Sequence, residues 1–450
     1  VSGSFPGGVH PRYEKDLTAG KASRTLDPPA EAVIPLSQHI GAPAKACVEK
    51  GDEVRTGQVV GEAGGFVSSP VHATVSGKVK AIEDRPHPSG KDVPSVVITS
   101  DGEDAWVELE PHGADLLEIP VDEVKDRVLK AGIVGLGGAT FPSHVKLSPP
   151  ADKKIDTVIL NGAECEPYLT ADHRLMLEQP GDVAGGLALI VRVTGARRGI
   201  IAVEANKPDA IEALEAEVRE LEGGVDAKLQ VRVMPVVYPQ GAEKQLIYAL
   251  LGREVPSGGL PMDVSALVHN VGTAAAMVRA AREGRPLVER IVTVTGDAIR
   301  EPGNLLVRIG TPVRELIEAC GGYTDEGPAK LIAGGPMMGF AQHTDEVPVI
   351  KGTSGILVLS RRLVRRLEPG PCIRCGECVR HCPMKLDPTE IALLAEHDMY
   401  AEADRIGALD CIECGCCAWG CPASIPLVQH VRKAKVEIMA ERARQQKKAS

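Results

Sequence analysis

Two stretches of this 450-residue chain carry the same arrangement of thiols. Cys372, Cys375, Cys378 and Cys382 form one C-x2-C-x2-C-x3-C run and Cys411, Cys414, Cys417 and Cys421 form another, with Pro383 or Pro422 after each last cysteine. Spacing this compact lets three thiolates of one loop wrap three corners of a four-iron cubane, while the fourth sulfur comes from farther away. Where two such runs occur together, each fourth cysteine serves the other cluster. The expected ligand sets are therefore Cys372, Cys375, Cys378 and Cys421 for one [4Fe-4S] cluster, and Cys411, Cys414, Cys417 and Cys382 for a second. Structural zinc would use two C-x2-C pairs and leave the third cysteine of each loop unexplained. Cys416 breaks no spacing and is expected to face away from the cluster; Cys47, Cys165 and Cys320 stand alone and are expected to be buried or incidental. Disulfide frameworks belong to small secreted domains, so the twelve cysteines fit metal ligation in a reducing compartment.

A second group of residues suits an anionic, hydroxyl-rich ligand. Gly135, Gly137, Gly138 and Phe141 lie in the glycine-rich stretch 132–142, with Lys146 shortly after it. The stretch follows a helical pattern and not a strand, so it is not a dinucleotide fingerprint. Asn161, Glu164 and Glu166 follow a buried apolar run, and the two carboxylates could accept from ribityl or ribose hydroxyls. Gly241 and Glu243 sit in Tyr238-Pro239-Gln240-Gly241-Ala242-Glu243-Lys244, a turn that would aim helix amides at an anionic or electron-rich group while glycine permits close approach. Asn270 and Thr273 add neutral donors and acceptors, and His269 between them and the preceding apolar run reads as a packing residue.

The elements that must position these residues follow from the patterning. Residues 31–115 open with short Val/Ile runs between Gly and Pro turns, a small all-β module after an extended N-terminal segment at 1–30. Its phrasing resembles biotinyl and lipoyl carrier domains, but the hairpin tip reads Gly64-Gly65-Phe66-Val67, with no lysine to modify. Across 116–288 strands alternate with helices, a Rossmann-like α/β layer: strands at Thr157–Leu160, Gly199–Val203 and Val231–Val237, helices at Val121–Lys130, Val183–Val193, Asp209–Glu222 and Ala242–Leu251. Ligands in such layers sit beyond the carboxyl ends of the strands, where the unusual residues fall. A strand-rich stretch at 289–366 reads as a small β-grasp domain, and Arg361-Arg362, Arg365-Arg366 and Pro369-Gly370-Pro371 lead into the cysteine domain at 367–450.

Gly135-Leu136-Gly137-Gly138-Ala139-Thr140-Phe141-Pro142, Asn161-Gly162-Ala163-Glu164-Cys165-Glu166-Pro167 and Asn270-Val271-Gly272-Thr273 resemble the flavin-site segments of the NADH-binding flavoprotein subunit of respiratory complex I. Gly7-Gly8-Val9-His10-Pro11, the β module, the domain order and the doubled cysteine run are closer still to the C-subunit family of Rnf ferredoxin:NAD+ oxidoreductases. The resemblance spans essentially the whole chain. It implies non-covalent FMN and NAD(H) in the α/β domain, held by Gly135, Gly137, Gly138, Lys146, Asn161, Glu164, Glu166, Gly241, Glu243, Asn270 and Thr273, with Phe141 packing on nicotinamide or adenine. It also implies an SLBB-like β-grasp domain and a peripheral position on the cytoplasmic face of the membrane. The implied partners are integral membrane subunits and a ferredoxin-accepting iron–sulfur subunit, which couple the electron flow to ion transport. The glycine loop departs from the complex I pattern in lacking its arginine, and eight cluster cysteines replace four.

Two other readings share these features: the cobalamin reductase of diol-utilising microcompartments, and a non-catalytic electron relay with a vestigial flavin pocket. The Gly-Gly-Val-His-Pro segment favours the Rnf reading over the first. A net charge of −10 argues against nucleic acid, and no apolar run approaches the ~20 residues of a membrane span. The tail from Val428 carries seven Lys/Arg against two Glu, suited to a solvated helix capping the cluster domain or to an anionic surface.

Overall fold

The computed structural model describes residues 4–364 and 368–449, so Arg365 and Arg366 lie outside the described residues. Four parallel strands run in the order Lys228–Met234, Arg198–Glu204, Thr157–Gly162, Ala266–Asn270. The Thr-Val-Ile-Leu run at 157–160 is buried throughout, as a central strand covered on both faces requires. Pro180 and Pro208 open the helices Pro180–Thr194 and Pro208–Glu220, where a missing N–H costs nothing. The strand expected to continue to Val237 stops at Met234, because Pro235 has no N–H for the ladder. The chain first adds strands on one side of Thr157–Gly162 and then places Ala266–Asn270 on the other, so the order reverses between Asn161 and Asn270, which are register partners. A crevice opens at such a switch point.

Residues before this layer form two small sheets, Glu31–Pro35, Asp92–Ser100, Gly77–Pro86, Glu53–Val54 and Lys45–Ala46, Val59–Glu62, Val71–His72, closed around a Val/Ile/Ala core. The hairpin tip without lysine leans on the α/β layer, where Phe66 O lies 3.2 Å from His144 Nε2. After the layer comes a six-stranded mixed sheet, Gly303–Arg308, Glu289–Thr295, Gly355–Leu359, Lys330–Ala333 and Phe340–Gln342, packed on the helix Val313–Ala319. Its sixth strand, Arg24–Thr25, comes from the N-terminal segment, which is thus woven into a sheet and not merely extended over the surface.

The cysteine region is helical: Glu377–Arg380, Pro388–Glu396, Tyr400–Arg405, Cys416–Trp419 and Leu427–Ala449. Val431, Ala434 and Ile438 of the last helix are buried against Ile391, Ala395 and Ala403. Four of its cations pair within the unit, Arg432 and Lys435 with Glu413, Lys433 with Asp398 and Arg442 with Asp404. Such a helix caps the cysteine unit.

Three buried cations lock the units together. Lys351 Nζ donates to Pro70 O (2.8 Å) and Gly132 O (2.7 Å), joining the β module to the residue that opens the glycine-rich stretch. Arg290 Nη2 donates to Leu136 O at 3.3 Å from below that loop. Lys15 Nζ donates to Glu166 O (3.0 Å) and Leu169 O (2.5 Å), tying the N-terminal segment to the loop after the first parallel strand. Burial holds Lys351 down at about 7 and Arg290 at about 10, a cost that the carbonyls around each cation offset.

Candidate functional site

The crevice at the switch point is built from four backbone segments. The glycine-rich loop closes on itself, with Gly135 N donating to Phe141 O (2.9 Å) and Val134 bridging Pro142. Its exposed crest, Gly137 to Ala139, lies over Asn270, with a Cβ on Gly137 falling 3.3 Å from Asn270 Cβ. Asn270 Oδ1 caps the helix Val271–Glu283 by accepting from Gly272 N (2.8 Å) and Thr273 N (3.4 Å). Thr273 is fully buried, and its hydroxyl accepts from Leu136 N (2.8 Å), which fixes the loop above the helix start.

Across the crevice, Asn161 Nδ2 donates to Gly241 O (2.7 Å), and Asn161 Oδ1 accepts from Ala163 N (3.1 Å). Gly241 packs so closely that a Cβ there would lie 2.3 Å from Ala163 O. Lys146 Nζ pairs with Glu243 Oε1 (2.9 Å) and donates to Val268 O (2.9 Å), so the loop, the helix Glu243–Leu251 and the fourth strand meet at one cation. The helix Glu243–Leu251 begins at this wall with no side-chain cap on its first amides and a lysine beside it, a setting for phosphate and polar ring edges.

The two acidic residues of the 161–167 segment are already bonded. Glu164 accepts from Asp172 N (2.9 Å) and His173 N (3.2 Å) and caps the helix Ala171–Glu178; Glu166 accepts from Met337 N (2.7 Å) and Met338 N (3.0 Å) of the neighbouring sheet. Phe141 is half-buried on the loop. His269 is buried with Nε2 unpartnered, consistent with packing and not with charge, since burial pulls its pKa down.

Two residues of this wall carry no readable signal in the sequence. Asp172 accepts from Asn270 Nδ2 (2.6 Å), and burial with Glu164 beside it raises its pKa to about 7. Arg290 faces the same carboxylates from another domain. An acidic residue in the first turn of a helix is common enough to hide Asp172, and no local pattern ties position 290 to position 136. The raised carboxyl has a testable consequence. Between the unfolded value near 3.9 and about 7 the folded chain holds a proton that the unfolded chain lacks, so stability falls as pH rises through that window. Asp172→Asn keeps the acceptor for Asn270 and removes the ionisation. Urea unfolding of the flavin-free variant is expected to lose less stability between pH 5 and 7 than the unaltered chain; equal losses would refute this origin.

The eight cysteines gather into two cavities. One is lined by Cys372, Cys375, Cys378 and Cys421, the other by Cys382, Cys411, Cys414 and Cys417. The two loops repeat one backbone: Arg374 and Glu413 both have φ 57°, Gly376 and Gly415 follow at 74° and 81°, and Lys385 and Ser424 at 57° and 55°. Turns of this kind point amides inward, as seen where Glu413 N approaches Cys411 Sγ (3.3 Å) and Leu386 N approaches Cys382 Sγ (3.4 Å). Burial raises Cys411 to about 11 and Cys417 to about 12, so keeping them as thiolates takes the positive charge of bound iron. Four sulfurs around each of two cavities fit two cubane clusters.

The cavities differ in setting. Cys372 and Cys375 are exposed, whereas Cys414 and Cys417 are buried. Cys416 is buried beside the second cavity, with its thiol 3.9 Å from Tyr238 O of the α/β layer. Cys165, next to Glu164, accepts from Gly241 N (3.3 Å) and packs with Tyr238, Cys414 and Cys416. Cys320 is buried in the core beneath the six-stranded sheet and Cys47 is exposed.

Residues 128–279 match the Nuo51 FMN-binding domain, residues 3–103 the RnfC barrel sandwich hybrid domain, residues 291–341 the SLBB domain and residues 365–422 a 4Fe-4S dicluster domain. Over 98% of its length the chain is 52% identical to the C subunit of the Na+-translocating ferredoxin:NAD+ oxidoreductase complex of Acetobacterium woodii, covering 98% of that protein. The chain belongs to the RnfC family. Another member, the C subunit of the proton-translocating ferredoxin:NAD+ oxidoreductase complex of Clostridium ljungdahlii, is 50% identical over 99% of this chain and 96% of its own. The C subunit of the ion-translocating oxidoreductase complex of Rhodobacter capsulatus is 44% identical over 98% of this chain and 84% of its own. A crystal structure of an NAD+-reducing [NiFe]-hydrogenase shares the fold, with a TM-score of 0.53 and 17% identity over 71% of this chain and 63% of that one. As a member of the RnfC family the chain takes FMN and two [4Fe-4S] clusters as cofactors, and it is one part of a larger complex. Among the described residues no helix is long and apolar enough to cross a membrane.

Proposed function

We propose that this chain is the peripheral subunit through which an Rnf-type ferredoxin:NAD+ oxidoreductase exchanges electrons with NAD(H). FMN held in the crevice would supply the conversion between the electron pair of nicotinamide and the single electrons of iron–sulfur clusters. The chain's own residues bind and orient. Gly135, Gly137, Gly138, Asn161, Gly241, Asn270 and Lys146 form the surface offered to flavin and nucleotide, with Phe141 beside the rings. Glu164, Glu166, Glu243 and Thr273 hold that surface in shape through bonds to backbone amides and Lys146.

The observation that carries the reading is a shared wall. The turn 238–241 borders the crevice at Gly241 and reaches the second cavity at Tyr238, whose hydroxyl donates to Cys414 O (2.7 Å). The cluster on Cys382, Cys411, Cys414 and Cys417 is therefore the one nearer the flavin. The cluster on Cys372, Cys375, Cys378 and Cys421, whose first two thiols are exposed, faces the outside and the next carrier. We place the protein on the cytoplasmic face of the membrane, held there by integral membrane subunits and passing electrons to or from a ferredoxin-accepting iron–sulfur subunit. Relatives matched end to end are translocating oxidoreductase subunits, which favours this reading over a cobalamin reductase.

Anaerobic iron, sulfide and flavin analysis with NADH titration tests it. About eight irons and one FMN per chain are expected, with the flavin bleached by NADH before the clusters are reduced. Four irons, bound zinc or a flavin inert to NADH would sink it.

A further inference from the structure

Two side chains of the α/β layer reach across to the backbone of the cysteine unit, and both end at the same cavity. Tyr238, 1% exposed, donates from Oη to the carbonyl of the ligand Cys414 at 2.7 Å. Gln245, 4% exposed, donates from Nε2 to Pro383 O at 3.3 Å and to Met384 Sδ at 3.0 Å, just past the ligand Cys382. Cys414 and Cys382 come from different motifs and meet on one cavity. At the other loop, Cys378 Sγ is bonded by Thr389 of the cysteine unit itself, at 2.8 Å.

We infer that Tyr238 and Gln245 are positioning residues that raise the reduction potential of the cluster held by Cys382, Cys411, Cys414 and Cys417 above what its own loop would set. A cluster gains negative charge on reduction, and its potential follows the hydrogen bonds and dipoles around its ligands. A carbonyl that already accepts a buried hydrogen bond presents less negative charge to the cluster, which favours the reduced form. The low dielectric around these buried groups strengthens the effect. Both donors belong to the layer that holds the flavin, so the cluster is poised only while docked against that layer. In an undocked unit the same cluster would be the poorer acceptor.

The inference rests on the assignment of those four cysteines to one cluster. The test is an anaerobic redox titration of the full chain with both clusters loaded, followed by electron paramagnetic resonance, comparing Tyr238→Phe and Gln245→Leu with the unaltered chain. Tyr238→Phe keeps the ring and the backbone bonds to Val9 and removes only the hydroxyl. The expected result is a three- to tenfold lower reduced-to-oxidised ratio for that cluster at fixed potential, about 30–60 mV for a one-electron couple, with the other cluster unmoved. Superimposable titrations would overturn the inference while leaving the cluster assignment standing. So would loss of iron from that site in both variants, since the two residues would then be structural only. If the other cluster shifts instead, the assignment itself falls.

Discussion

Cys421→Ser is expected to empty the site on the opposite loop. Iron should fall to about half, from eight to four atoms per chain. The resonance that disappears should belong to the cluster on Cys372, Cys375 and Cys378, although position 421 lies in the later motif. The cavity linings give the reason: Cys421 stands with Cys372, Cys375 and Cys378, and Cys382 stands with Cys411, Cys414 and Cys417. Because the lost cluster is the one with exposed thiols, NADH should still bleach the flavin and reduce the remaining cluster, while transfer to an external acceptor is abolished. Cys382→Ser should do the reverse and break the path next to the flavin. Loss of the cluster on the mutated residue's own loop, read by iron analysis and electron paramagnetic resonance, would refute the exchange.

Gly241→Ala is expected to cost at least tenfold in FMN affinity. The added methyl would sit 2.3 Å from Ala163 O and 3.4 Å from Cys165 Sγ. The first neighbour is backbone of the strand-end loop, held by Asn161 Oδ1 on Ala163 N, and cannot rotate away as a side chain could. Overpacking of this kind typically costs about 1–3 kcal/mol. Relief requires separating the Asn161 and Gly241 segments, the two sides of the crevice wall, and breaking the Asn161 Nδ2 bond to Gly241 O. None of the eight motif cysteines is among the nearest atoms the methyl would meet, so the clusters should load normally. Flavin content after gel filtration and fluorescence titration with FMN would show the effect; unaltered flavin affinity would mean that the wall tolerates the methyl and the crevice lies elsewhere.

The cysteine sites are legible in the sequence because their chemistry is local: three ligands within seven residues and a proline to mark the fourth. The α/β layer is legible from its periodicity, and the crevice from glycines and polar residues at strand ends. What escapes is everything that depends on two distant segments meeting. Asp172 meets Asn270 only when residues 98 positions apart fold into one layer, Arg290 joins them only after the neighbouring sheet docks, and Lys351 becomes a junction only when Pro70 and Gly132 surround it. Glu164 and Glu166 read as free acceptors because a sequence does not tell whether a carboxylate faces ligand or backbone amides. The contact of Cys416 is hidden for a similar reason, since its neighbour Tyr238 lies 178 residues away.

The N-terminal strap has a consequence for how the molecule assembles. Gly8 N donates to His381 O (3.0 Å), Val9 and Tyr238 exchange backbone bonds (2.8 and 2.9 Å), and Gly7 lies flat on the backbone of Cys382. Contacts this far apart in the chain form late, because closing the long intervening loop is entropically costly. During synthesis residues 7–9 have no completed seat until the first cysteine run, some 370 residues later, has left the ribosome. The strap then closes on the backbone of Cys382, beside the cavity that Cys411, Cys414 and Cys417 also line. A chain halted short of the cysteine run would leave residues 7–9 without the His381 and Cys382 half of their seat.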